Sequence, residues 1–210
     1  MPQLSLLPLL LSLAWISPVV ANQAETLQTQ IDQIATMQAA FTQKQRDAQG
    51  DIRRKSSGYF YLQRPGRFYW HYQKPHEQQL IADQDVLWVY EPDLMQATRS
   101  ALSANKGAPI SILLDDEPIE TVFTVTRQSQ LGDAALDWFV LEPIDQTGDF
   151  QQLQLAMDES GLREMVFIDQ LGHRTEVSFT ERVFNQPLED DLFSFAPPDG
   201  VDVVEGQSLT

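Results

Sequence analysis

Apolar residues recur at Leu27, Ile31, Ile34 and Phe41, with Met37 beside them, and this spacing predicts an amphipathic helix over residues 24 to 44. From Gly58 the apolar period shortens towards two, and short β-rich segments alternate with turn residues. The pattern predicts ten strands, at 58–64, 67–74, 77–82, 85–90, 94–100, 121–127, 137–142, 150–157, 161–169 and 172–183. Pro65-Gly66, Asp83-Gln84, Pro92-Asp93, Ser160-Gly161 and Leu171-Gly172 mark tight turns between them. Many short strands with close turns point to an antiparallel barrel or a strongly curved sheet, so the fold class is α+β and mainly β.

One segment breaks the strand pattern. Pro109 opens a short run, Ile110, Ile112, Leu113 and Leu114, with only Ser111 between, and proline is tolerated in a first helical turn. A helix this apolar has no polar face. It is therefore either a plug inside the core or a lid resting on an apolar opening, and the segment itself does not choose.

Seven of the twenty aromatic residues fall between Tyr59 and Tyr72. Because side chains alternate along strands, Phe60, Leu62 and Arg64 share one face of the first strand of this hairpin, and Phe68, Trp70 and Tyr72 one face of the second. A two-residue loop at Pro65-Gly66 sets the aliphatic face against the polar one. A three-residue loop, Pro65-Gly66-Arg67, pairs Arg64 with Phe68, Leu62 with Trp70 and Phe60 with Tyr72, with Gly66 supplying a positive φ. Arg64 then projects from the apolar face, where it needs several acceptors, and backbone carbonyls at the end of a covering helix or loop suit it. The other reading is that Arg64 ends its strand and snorkels to water.

Ahead of the helix, residues 1–21 carry no charged side chain, and the apolar run Leu4 to Ile16 is shorter than a membrane-spanning helix needs. Val19-Val20-Ala21 suits a leader peptidase, so residues 1–21 are expected to be a cleaved signal peptide, although the start lacks Lys or Arg. Residues 22–210 are expected to form one domain. There is no cysteine, which excludes disulfides, thiolate metal sites and N-terminal acylation of this chain on cysteine.

The net charge of −16 argues against nucleic acid or an anionic membrane as partner, since both would repel most of the surface. The cations are concentrated: eight Lys or Arg stand between Lys44 and Lys74 against two acids, Asp47 and Asp51. That stretch either is a solvated face or meets an acidic partner. Catalytic signatures are missing. His71, His76 and His173 do not form a metal pair, Asp115-Asp116-Glu117 and Glu189-Asp190-Asp191 read as solvated runs, and no nucleophile elbow, phosphate loop or dinucleotide fingerprint is present. No cofactor is expected, and the chain reads as a carrier of an apolar ligand, not an enzyme.

Nearly the whole mature chain resembles the LolA family of periplasmic lipoprotein carriers. The resemblance runs through Phe41-Thr42-Gln43, at the end of the expected helix, Arg64-Pro65 with Phe68 and Trp70, Pro75, Asp83, and Leu87-Trp88-Val89-Tyr90. It continues in Gln96-Ala97-Thr98, Pro109, Phe139-Val140-Leu141 with Pro143, Asp169 with Gly172, and Phe193, Phe195, Pro197-Pro198 and Gly200-Val201. It implies an incomplete antiparallel barrel of ten or eleven strands, capped by the N-terminal helix and short lid helices. The enclosed cavity would hold the acyl chains of outer-membrane lipoproteins, with Phe60, Leu62, Phe68, Trp70, Tyr72, Trp88, Ile110, Leu113 and Leu114 lining it.

The resemblance further implies that Arg64 latches the covering helices in the free form, that Pro109 to Leu114 is the lid, and that the protein works in the periplasm. Its implied partners are an inner-membrane lipoprotein-releasing ABC transporter and a LolB-like outer-membrane receptor. LolB-like receptors are lipidated on an N-terminal cysteine, so its lack here favours the carrier role. Two departures stand out: Asp83-Gln84 replaces the usual Asp-Gly turn, and Arg53-Arg54-Lys55 lies in the expected helix-to-strand connection. A lipid-sensing regulatory module of the same fold and an acyl-substrate hydrolase are the rival readings. A charged closed shell offers no obvious self-pairing edge, so a monomer is expected.

Overall fold

The computed structural model describes residues 22–105, 110–114, 116–128, 131–145 and 150–206. The expected leader, Pro109 and Asp115 lie outside the described residues. Twelve strands form one sheet: β1 (Thr36–Arg46), β2 (Ile52–Gln63), β3 (Arg67–Lys74), β4 (Gln78–Asp83), β5 (Val86–Glu91), β6 (Gln96–Ala101), β7 (Phe123–Arg127), β8 (Asp137–Pro143), β9 (Phe150–Asp158), β10 (Gly161–Asp169), β11 (Arg174–Phe184) and β12 (Asp202–Glu205). Among the described residues three α-helices accompany them: α1 (Gln23–Asp32), α2 (Ser111–Leu114) and α3 (Ile119–Val122).

The sheet order, β12-β6-β5-β4-β3-β2-β1-β11-β10-β9-β8-β7, does not close on itself. Its pairings are antiparallel except for the parallel pair β12–β6. The curved, unclosed sheet is the expected incomplete barrel, with twelve strands in place of ten or eleven. All ten expected strands are present, and two were not foreseen.

The larger correction concerns the first element. Helix α1 stops at Asp32, and residues 36–44, expected to continue it, belong to β1 in the middle of the sheet. Met37, Ala39, Phe41 and Gln43 are buried while Gln38, Ala40 and Thr42 are not, which is the period of a strand. Phe41 satisfies both periods, since its place in the helical stripe is also two residues on from Ala39. Tertiary pairing on both sides, with β2 and β11, decides it. The corner between α1 and β1 is held by Asn185, whose Oδ1 accepts from the Ala35 amide at 2.8 Å and whose Nδ2 donates to the Gln33 carbonyl at 2.8 Å. The N-terminus of α1 is capped by Asn22, which accepts from the Ala24 amide.

Strand β2 also begins earlier than expected, so Arg53, Arg54 and Lys55 are strand residues, not a connection. The β2–β3 hairpin has Leu62 opposite Phe68 and Phe60 opposite Trp70, with Gly58 opposite Tyr72. The expected pairing was therefore two positions off. The three loop residues are Arg64, Pro65 and Gly66, because Arg67 already pairs with Gln63. Face sharing survives the shift, since it preserves the alternation. Gly66 does take positive φ, and the Gln84 backbone lies 3.2 Å from where a Cβ would stand. At the β4–β5 turn Gln84, which stands where the resemblance implies a glycine, adopts φ +51, a left-handed conformation.

One apolar core fills the concave face, and α1 contributes Leu27 and Ile31 to it. The convex face of β3–β5 is covered by the chain after β11. There Phe193 is buried, and Phe195 packs on Trp88 and Tyr90 at ring-centroid distances of 5.3 and 5.2 Å.

Candidate functional site

The concave face carries an aromatic cluster built by four adjacent strands. Phe60 on β2 meets Trp70 on β3 at 4.9 Å and Phe179 on β11 at 5.5 Å, and Phe41 on β1 meets Trp70 edge-on at 5.3 Å and Tyr72 at 5.1 Å. Leu62 and Phe68 extend it. Trp70 and Tyr72 lie on the same side, as alternation requires. The Tyr72 hydroxyl donates to Gln43 Oε1 at 3.0 Å, and burial pushes its pKa up to about 12, so it stays neutral.

Helix α2 lies down on this face. Leu113 and Leu114 are buried in the core, with Ile112 beside them and Ile110 half-buried against it. The Leu114 carbonyl accepts from the Gly66 amide at 3.1 Å, which ties the end of α2 to the β2–β3 turn. Helix α3 is tied to α1 through Gln28, whose Oε1 accepts from the Ile119 amide.

Arg64 joins these covers. Its side chain is 8% exposed. Nη1 donates to the Ile31 carbonyl at 2.8 Å and reaches Asp32 Oδ1 at 3.3 Å, while Nη2 reaches Asp116 Oδ1 at 3.3 Å. The guanidinium thus sits at the C-terminal, negative end of α1 and bridges it to the segment following α2. The expected carbonyl acceptor is present, and two carboxylates join it. The snorkelling alternative is excluded by this burial, although Arg64 sits in the loop and not on the strand.

Of the expected lining residues, Phe60, Leu62, Phe68, Trp70, Tyr72, Ile110, Leu113 and Leu114 come together on the concave side. Trp88 does not. Leu87 and Val89 point into the core, so alternation puts Trp88 on the convex face under Phe195, with Arg99 over its ring at 6.0 Å. The sequence reading missed Phe41 and Phe179 as cluster members, and Asp32 and Asp116 as partners of Arg64. Strand alternation through Met37-Ala39-Phe41 and Val177-Phe179 carried the signal for the first two. Among the described residues, no three His, Asp or Glu side chains form a metal site. His71, His76 and His173 each face a separate carboxylate, Glu77, Asp93 and Asp169.

The family model described as outer membrane lipoprotein carrier protein LolA matches residues 32–196. The chain belongs to the LolA family. This LolA-family chain is 36% identical over 191 residues to an outer-membrane lipoprotein carrier protein of Methylococcus capsulatus, covering 88% of this chain and 91% of the other. It is 34% identical over 189 residues to one of Nitrosomonas europaea, covering 89% and 91%. An uncharacterized conserved protein from Thermus thermophilus is similar in structure at 13% identity and a TM-score of 0.57, covering 87% of this chain and 99% of that one, which speaks for the fold alone. Among the described residues no helix is long and apolar enough to cross a membrane.

Proposed function

We propose that this protein is a periplasmic chaperone that shelters the acyl chains of outer-membrane lipoproteins on its concave aromatic face. The observation that carries the reading is the closure of that face by α2, fastened through one buried arginine. Moving an acyl chain into water costs about 0.8 kcal/mol per CH₂, so release into solvent is negligible and cargo must pass directly from one apolar site to another. In this scheme a lipoprotein-releasing ABC transporter of the inner membrane loads the carrier, and a LolB-like receptor of the outer membrane unloads it. Loading requires α2 to lift, which breaks the Arg64 contact with Asp116 and the Gly66–Leu114 hydrogen bond while Arg64 stays bonded to the end of α1. The latch therefore raises the free energy of the open, loaded form relative to the closed, empty one and favours unloading.

The test is to express the mature chain together with a lipoprotein substrate in the periplasm, purify it, and identify what is bound by mass spectrometry. Triacylated lipoprotein in near-stoichiometric amount is expected. Free lipid without protein would point to a lipid sensor and a cleaved acyl product to a hydrolase, and either would overturn the carrier reading.

A further inference from the structure

The convex face of β1 and β8–β11 holds a second concavity, on the side of the sheet away from the acyl-facing cluster. Two rows of side chains converge there. In one, Thr42 faces Ser178, Ser178 faces Glu164, Glu164 faces Ala156 and Ala156 faces Trp138, across five strands. In the next, Lys44 faces Glu176, which faces Val166. The chain before β8 folds back over the sheet, and Leu131 and Leu136 pack with Trp138, Ala156 and Val166 as a small separate core. Gly132 permits this approach: it has φ +60, and a Cβ there would stand 2.6 Å from the Trp138 ring. This open concavity has a volume of about 360 Å³, at the small end of the range for ligand pockets.

Its polar groups are unevenly satisfied. Glu176 is taken up by Arg46 at 3.3 Å and Arg174 at 2.9 Å. Glu164, half-buried beside it, makes no hydrogen bond or ion pair among the described residues. Burial raises its pKa; Arg163 opposes this, Glu176 and Asp133 reinforce it, and Lys44 opposes it weakly. Trp138 is 4% exposed, and among the described residues its buried indole Nε1 has no hydrogen-bond partner. A buried donor left unmade costs about 1–3 kcal/mol, so this N–H stands to gain from an acceptor brought to it. An ammonium group suits Glu164 and Asp133, and an anionic oxygen suits Lys44 and the Trp138 N–H. Neither a bare cation nor a bare anion satisfies both sets.

We propose that this convex pocket binds a small zwitterion of the α-amino-acid class, its ammonium on Glu164 and Asp133 and its carboxylate between Lys44 and the Trp138 indole N–H. The site is separate from the acyl-facing cluster and does not rest on the carrier function.

The experiment is a titration of the ¹⁵N-labelled mature chain with L-alanine, followed through the Trp138 indole resonance, which Trp138→Phe assigns by its disappearance. A saturable shift is expected, with ethylamine and propionate, each carrying half of the charge pattern, binding at least about tenfold more weakly. Glu164→Gln is expected to weaken L-alanine by about tenfold or more with its thermal midpoint unchanged, and Trp138→Phe, read by calorimetry well below its own thermal midpoint, by a similar factor. A non-saturable response, ethylamine or propionate binding as well as L-alanine, or undiminished binding by folded Glu164→Gln overturns the proposal.

Discussion

Strands β3 to β5 are covered on both faces, and the two covers are built differently. On the concave side lies α2, a four-residue helix that rests on the aromatic cluster through Ile112, Leu113 and Leu114. It is held at its end by the Gly66 amide, and the segment after it by Arg64. On the convex side lies the chain from Glu189 to Gly200, which buries Phe193 and continues into β12. That strand pairs with β6 from Asp202 to Glu205, and the Asp202 and Gly206 amides donate to Met95 and Arg99 carbonyls. One cover is fastened by a few polar contacts that can break together; the other is anchored by a ladder of backbone hydrogen bonds. The difference suggests that the first opens while the second stays fixed, because a local opening costs only the contacts it breaks.

The sharpest way to break this contrast is to empty the fixed cover. Phe193→Ala is expected to cost about 3–5 kcal/mol of global stability, measured by urea denaturation, because it leaves a large cavity against the sheet. A loss below about 1 kcal/mol would mean that the convex cover is also detachable. Next in size is the latch. Arg64→Leu is expected to accelerate hydrogen exchange of the Gly66 amide, to leave loading intact, and to slow handover to a LolB-like receptor by about five- to 150-fold, the range of typical coupling energies. Handover at the wild-type rate would sink the latch.

The β9–β11 part of the sheet gives a pH test. The Arg182 hydrogen bond holds the Asp158 carboxyl below the usual carboxylate range, and burial opposes it. A depressed folded pKa means that this contribution is present above the unfolded carboxylate pKa, near 3.9, and lost as pH falls through the folded value. Asp158→Asn is accordingly expected to flatten the fall in stability below about pH 4, and an unchanged acid profile would remove Asp158 from the account. The smallest effect belongs to the β4–β5 turn. Gln84→Gly relieves a left-handed residue and is expected to raise stability by up to about 1 kcal/mol, with Gly66 exchange unaltered. Faster Gly66 exchange would show that this turn, whose Gln84 amide donates to the Gly66 carbonyl, belongs to the detachable cover.

The strands from β2 to β11 beyond Gly58 were legible because alternation and turn residues agree there. Strand β1 was not, because Leu27, Ile31, Ile34 and Phe41 satisfy a helical period and Ala39-Ala40 does not object to one. Only the neighbours on either side, far off in sequence, decide the matter. Strand β12 gave no pattern, since all four of its residues are exposed. In the candidate site, alternation placed Phe60, Leu62, Phe68, Trp70 and Tyr72 on one face, yet it could not fix the hairpin register, which depends on where the turn begins. It placed Trp88 wrongly only because the phase of β5 was not followed: Leu87 and Val89 take the core. Arg64 was found because a charge beside an apolar face demands partners, but Asp32 and Asp116 could not be chosen from among thirty acids.

Strand β1 has a further consequence, for the order of assembly. It is the seam between two meanders, β2 to β6 and β7 to β11, each made of neighbours in sequence, and it joins them by pairing residues as distant as Met37 and Phe184. Local hairpins can form as the chain emerges, but this pairing has to wait for β11, and such long-range closure is slow. Until then the edge of β1 and the aromatic side chains beside it stand open to other chains. A newly made copy is therefore itself a client in need of shelter before it can offer any.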